Sequence, residues 1–248
     1  MNAEIALFVM AGFVGGIVNA AAGGAKLFVF PMLLASGVPP VAANITQSVA
    51  LWPAQLPAVW VYRREIMADA RSLVRQMIPA LGAALAGSLV MVNSSDAAFV
   101  AVVPVLLLIS VAAIVFGPKT TSLMQWAFPG DRLKVATSVM LVAIGFYGGY
   151  FGAGMGFMLL AVLAAPGGLG LGRVNGAKNL FAFGIQSVAI PPMALSGLIN
   201  WLAVLCVLTG GILGGYLGAK LTKRLPDRAL RIAVATLGVG LTLSFLLR

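Results

Sequence analysis

Apolar residues run along this chain in eight long blocks, at 5–36, 41–62, 75–92, 98–116, 135–166, 174–196, 200–219 and 229–247, with short polar links between them. Helical runs of roughly 17–25 apolar residues match the thickness of a bilayer core. Inside lipid, backbone polar groups find partners only in helices or closed barrels. The pattern predicts an all-α polytopic membrane protein, with one integral membrane domain spanning residues 1–248. The first and fifth blocks are each about 32 residues long and rich in glycine, and each is followed by three blocks of ordinary length.

The two glycine-rich blocks resemble each other. Gly12-Phe-Val-Gly-Gly-Ile-Val-Asn-Ala-Ala-Ala-Gly-Gly24 returns 133 residues later as Gly145-Phe-Tyr-Gly-Gly-Tyr-Phe-Gly-Ala-Gly-Met-Gly156. Paired, glycine-interrupted apolar segments point to a transporter made of two repeats with its site where they meet. The repeats are expected at about 5–116 and 135–247. Gly12, Gly15 and Gly16, spaced three and four apart, suit close helix packing, as do Gly210, Gly211, Gly214, Gly215 and Gly218. Gly23, Gly24, Gly154 and Gly156 are the candidates for the breaks themselves.

Charge assigns the sides. Arg63, Arg64, Arg71 and Arg75 follow the second block of the first half, whereas the matching link of the second half, around 196–200, has no basic residue. Lys220, Lys223, Arg224 and Arg228 follow the third block of the second half, and the matching link at 93–97 has none. Basic residues mark cytoplasmic links, so this exchange predicts inverted repeats with an odd number of crossings each. Re-entrant hairpins in the glycine-rich blocks deliver that count. Two arms of about 15 residues would each reach roughly 22 Å, leaving three crossings per repeat. The basic links at 63–75, 117–134, 167–173 and 220–228 then share the cytoplasmic side and both termini lie outside. Eight plain crossings would divide those links between the two faces.

Composition narrows the chemistry. The chain is 61% hydrophobic and 9% charged, with a mean hydropathy of +1.05. The net charge of +10 follows from basic cytoplasmic links and does not indicate nucleic acid. Met1-Asn2-Ala3-Glu4 offers no basic start of a secretory signal. There is no histidine, which removes His-based metal sites and a Ser-His-Asp triad, and the single Cys206 allows no internal disulfide. The six acids, Glu4, Glu65, Asp69, Asp96, Asp131 and Asp227, fall in termini or links. Cation pathways and proton relays use acids within the membrane, so an enzyme or a cation carrier is disfavoured and no cofactor is expected.

The intramembrane charges are positive. Lys26 follows the Gly23-Gly24 break, and Lys178 lies in Val174-Asn-Gly-Ala-Lys-Asn-Leu180. A charge within a span is a functional candidate by default; the alternative is that each lysine snorkels to an interface. Two cations without a buried carboxylate suggest that the counter-charge is an anionic substrate. Glycine breaks add helix N-termini that favour anions. Asn19 and the cluster Asn44, Thr46, Gln47 and Ser48 supply hydrogen-bonding groups in the first half. Asn175 and Asn179, with Gln186 and Ser187 further on, do so in the second. Such groups also tie helices together. Pro53, Pro57, Pro191 and Pro192 are expected to kink their helices, and Trp52, Trp60 and Trp201 to mark interfaces or packing.

The glycine-rich opening, the stretch ending in Pro39-Pro40-Val-Ala-Ala-Asn44, and Val174-Asn-Gly-Ala-Lys-Asn-Leu180 together resemble the TauE/SafE sulfite-exporter family, also grouped with toluene-sulfonate uptake permeases. The resemblance spans nearly the whole chain. It implies a transporter of the bacterial inner membrane for sulfur-containing anions such as sulfite, sulfoacetate or other sulfonates. On that expectation Lys26 and Lys178 attract the anion. Asn44, Thr46, Asn175 and Asn179 donate to its oxygens, and the repeats rock about the site for alternating access. Beyond the substrate and membrane lipids, small-residue helix faces allow a homodimer. The competing readings are an anion channel and a non-catalytic membrane protein that binds a partner.

Overall fold

The computed structural model describes residues 2–22, 24–168 and 170–222, together with Thr236 and Gly240. Gly23, and the expected last block at 229–247 apart from those two residues, lie outside the described residues. The described chain is helical: α1 (Asn2–Ala22), α2 (Lys26–Ala35), α3 (Pro40–Leu51), α4 (Leu56–Val61), α5 (Arg63–Ala68), α6 (Ala70–Val92), α7 (Asp96–Ala127), α8 (Asp131–Tyr150), α9 (Met155–Ala164), α10 (Leu171–Leu195) and α11 (Trp201–Thr222). By length and composition, α6, α8 and the Asp96–Gly117 part of α7 are apolar enough to cross a membrane.

Each glycine-rich block is a long helix, a break and a short helix. The arms are unequal: 21 and 10 residues in the first block, and 20 and 10 in the second. The expected equal arms of about 15 residues are therefore corrected. Gly12, Gly15 and Gly16 are used for packing, so the break falls late in the block. In the first block α2 folds back on α1. Space beside Gly15 is taken by Val29 and Ala25, and Ser36–Val38 share an open cavity with Glu4 and Phe8.

The long helices are exchanged between the halves. α1 lies along α11, and α8 along α6. A methyl group added to Gly12 would meet the Val207 backbone, one on Gly16 that of Gly211, and one on Gly214 that of Phe13. In the other pair Gly145 meets Ala80, Gly149 meets Ala84, and Gly87 meets Phe146. The two sets correspond one to one. In both, contact numbers rise together, so the paired helices run in the same direction. Close backbone approach through small residues gives dispersion contacts that larger side chains would prevent.

One link and one block differ from the expected bounds. The expected link 117–134 is mostly helix, because α7 continues to Ala127. Its extension closes the end of α9: Thr121 Oγ1 donates to Ala161 O and Gln125 Nε2 to Ala165 O, both at 2.9 Å. These carbonyls have no partner within their own helix. The block 41–62 is divided into α3, a short 3-10 turn at Pro53–Gln55, and α4, as Pro53 and Pro57 predict. Its counterpart α10 instead runs through Pro191 and Pro192 to Leu195.

Side chains such as Val105, Leu108, Ile109, Val115 and Phe116 of α7 point outward, which suits lipid as solvent. Inside, Phe30 meets Phe151 and Phe99 edge-on, with ring centroids 5.5 and 5.9 Å apart. Such offset geometries favour aromatic pairs, and they fix the second break against α2 and α7.

Candidate functional site

The two breaks meet at Lys26. As the first residue of α2, Lys26 is carried at the tip of the first hairpin and is buried. Its Nζ donates to Ser48 Oγ of α3 and to Phe151 O of the second break, both at 2.9 Å, and to Gln186 Oε1 of α10 at 3.5 Å. All three partners are neutral. The described acids lie elsewhere: Asp131 pairs with Lys134 at 2.9 Å and Asp69 with Arg173 at 3.6 Å, Asp96 accepts from Val41 N at 2.8 Å, and Glu4 and Glu65 sit in the first turns of α1 and α5.

The end of α8 explains this arrangement. The last carbonyls of a helix lack partners within it, and lipid offers no water to supply them. Here side chains do so. Gln186 Nε2 donates to Gly148 O at 3.1 Å and Asn44 Nδ2 to Tyr150 O at 2.9 Å, and Lys26 takes Phe151 O. Tyr147 Oη donates to Ala153 O at 2.6 Å and lies 2.6 Å from Ser110 Oγ. A cation at this end also complements the helix dipole. Gly152 (φ 74°) and Gly154 (φ 68°) turn the chain from α8 into α9. A side chain on Gly152 would lie 3.0 Å from Gln186 Nε2 and 3.1 Å from Lys26 Nζ, so glycine is needed there for both conformation and space.

The sequence-derived candidates divide. Lys26, Asn44 and Gln47 join one network, with Gln47 Nε2 donating to Asn44 Oδ1 at 3.0 Å and Ser48 Oγ to Asn44 O at 2.7 Å. Thr46 is buried but accepts from Asn200 N at 3.1 Å, fastening the link before α11. Gly24 is in the first break and Gly154 caps α9. Gly156 is within α9, not in the break, and Gly23 is outside the described residues. Asn19 is half-buried near the end of α1. Asn175, Lys178 and Asn179 do not join Lys26. Asn175 bonds Leu171 O of its own helix at 3.0 Å. Lys178 and Asn179 are half-buried on α10; Lys178 lies two turns before Gln186, roughly 12 Å along the axis.

Sequence reasoning missed Phe151, Gly152, Tyr147 and Ser110 as site builders. A signal existed: Gly152 stands where the first copy has Asn19, and Tyr147 and Phe151 where it has Val14 and Val18. Ser110 is a lone hydroxyl in a strongly apolar run.

Trp52 donates to Ser187 Oγ at 2.9 Å and stacks on Phe183 with centroids 5.8 Å apart, joining the halves beside this network. Trp60 is exposed, with the Arg63 guanidinium 4.6 Å above its ring.

Comparison with known proteins matches residues 8–245 to the family described as "Sulfite exporter TauE/SafE". A "Probable membrane transporter protein" of Haemophilus influenzae is 28% identical, with 96% of this chain and 92% of the relative covered. A "Probable membrane transporter protein ORF9" of Sinorhizobium sp. is 24% identical, with 98% of this chain and 92% of the relative covered. No solved structure matches the chain. A chain whose described residues form helices of membrane length, with a family match over residues 8–245, is a multi-pass membrane transporter rather than an enzyme, and it belongs to the sulfite exporter TauE/SafE family.

Proposed function

We propose that the chain carries sulfur-containing anions such as sulfite, sulfoacetate or other sulfonates outward across the bacterial inner membrane, by alternating access around Lys26. The observation that carries this reading is a buried lysine whose three hydrogen-bond partners are all neutral. An uncompensated charge away from water is costly, and an anion entering beside Lys26 supplies the compensation. To accept it, Lys26 exchanges Phe151 O or Gln186 Oε1 for an anion oxygen. That exchange loosens the contact between the two tips and links binding to their separation. A membrane potential that is negative inside assists anion export by about 2.3 kcal/mol per charge per 100 mV.

The reading includes inverted repeats. α10 lies beside α6 in the same direction, with Gly184 against Met77 and Ser88 Oγ donating to Ala189 O. α11 follows α10 after a short link and returns across the membrane. α1 therefore runs with α11, while α8 runs with α6 and opposite to α1. The first hairpin then enters from outside and the second from the cytoplasm. The basic ends of α5 and α10 lie together on the cytoplasmic side. Lys178, nearer that side than Lys26, attracts the arriving anion.

Flux into proteoliposomes tests the reading. Sulfite, sulfoacetate, taurine, thiosulfate and sulfate are compared with formate and chloride. Saturable movement of the sulfite or sulfonate group is expected. Equal, non-saturating movement of chloride would instead indicate a channel, and no movement of any anion would remove the transport reading.

A further inference from the structure

We infer that Gln47 selects anions that carry their own hydrogen-bond donor, an O–H or N–H group, over anions that bring only acceptors; the inference rests on the anion site proposed at Lys26. Gln47 is wholly buried in α3. Its amide orientation is set by a chain of bonds that begins at a backbone carbonyl, a group that only accepts. Tyr150 O takes Asn44 Nδ2 at 2.9 Å, which turns Asn44 Oδ1 toward Gln47. That oxygen takes Gln47 Nε2 at 3.0 Å. The far end of the chain is consequently Gln47 Oε1, an acceptor, and among the described residues nothing donates to it.

The other buried oxygens without partners among the described residues, on Gln55, Glu65 and Thr137, make no bond with this network. Gln47 alone extends it. The network and the lysine share one helix end: Asn44 is on Tyr150 O and Lys26 on the next carbonyl, Phe151 O. Lys26 presents a cation that calls for anion oxygens. Gln47 presents a lone pair that calls for a donor. A fully deprotonated oxyanion satisfies the first and opposes the second. A protonated oxyanion, or an anion with a hydroxyl or ammonium group, satisfies both. A buried polar group left without its partner is what makes hydrogen-bonding sites selective against analogues that lack the group. The open cavity of about 600 Å³ that includes Ala42 and Asn200 lies about five residues up α3 from Gln47, roughly 7–8 Å along the helix axis.

The test compares 2-hydroxyethanesulfonate with propane-1-sulfonate, which replaces the hydroxyl by a methyl group at the same charge and nearly the same size. Uptake is measured into proteoliposomes holding the full chain. The wild type is expected to favour the hydroxyl compound at least about tenfold in kcat/KM. Gln47→Met is expected to bring that ratio close to one while propane-1-sulfonate still moves. Equal uptake of the two sulfonates by the wild type would overturn the role of Gln47 and leave the anion reading standing. A ratio unchanged in Gln47→Met would overturn it as well. Failure of both sulfonates and of sulfite to move would take down the anion reading and this inference together.

Discussion

The two glycine breaks share a sequence pattern and do opposite work. The second is an acceptor. The carbonyls of Gly148, Tyr150 and Phe151 are each taken by a side chain from another part of the fold, that of Ala153 by Tyr147 of α8 itself, and aromatic rings clamp the break. The first is a donor. It sends Lys26 across to that ring of carbonyls. Two segments alike in sequence thus supply unlike halves of one hydrogen-bond network. The packing glycines recur in both copies, Gly12, Gly15 and Gly16 as Gly145, Gly148 and Gly149, whereas the residues of the breaks differ: Lys26 follows the first, and a helix end that receives it precedes the second.

The largest expected effect comes from removing the donor. Lys26→Ala should lower sulfite or sulfonate flux about 100-fold, because a bond to a charged group contributes about 1.5–3 kcal/mol. Proteoliposome flux at matched protein content checks this; a loss below threefold would leave the first break without its assigned role. Where the breaks are alike, their substitutions should act alike. Gly16→Leu and Gly149→Leu each push a side chain into a neighbouring helix backbone and should cost about 1–3 kcal/mol. Gly82→Ala, with nothing near its Cβ position, serves as control. Thermal unfolding in detergent reads all three, and a marked inequality between the first two would break the correspondence of the halves.

Removing one acceptor-side contact should do less. Asn44→Leu leaves Tyr150 O and Gln47 Nε2 without partners. It should cost about 1–3 kcal/mol, visible as a lower unfolding temperature together with reduced flux. Smallest is Lys178→Ala. Because Lys178 stands apart from the network, its loss should reduce flux only about threefold, through weaker attraction of the anion. That effect should fade as salt is raised. A loss as deep as that of Lys26→Ala would make the two lysines partners in one site.

Much of this was legible in the sequence because lipid enforces it. Apolar block lengths and the packing glycines follow from burial, and they point to the membrane-length helices and to their close pairing. Lys26 and Asn44 were legible for the same reason: polar groups in apolar blocks need partners. What the sequence concealed depends on backbone ends. Phe151 contributes a carbonyl, which every residue has, and Gly152 contributes an absence of side chain. The lengths of the hairpin arms were hidden because packing glycines and breaking glycines look the same until their neighbours are known. Asn175 and Asn179 stand apart from the Lys26 network because α10 is long. Residues near its start are polar like those near Gln186, yet they lie two or three turns away.

If the counter-charge that Lys26 lacks is the transported anion, anion binding to the purified protein depends on that lysine. Unfolding temperature is measured for wild type and Lys26→Met, with and without saturating sulfite or sulfonate. A ligand at a hundredfold excess over its Kd stabilises its site by about 2.7 kcal/mol. A rise of several degrees is expected for wild type and none for Lys26→Met. An equal rise in both proteins would contradict it, because the anion would then bind without the lysine.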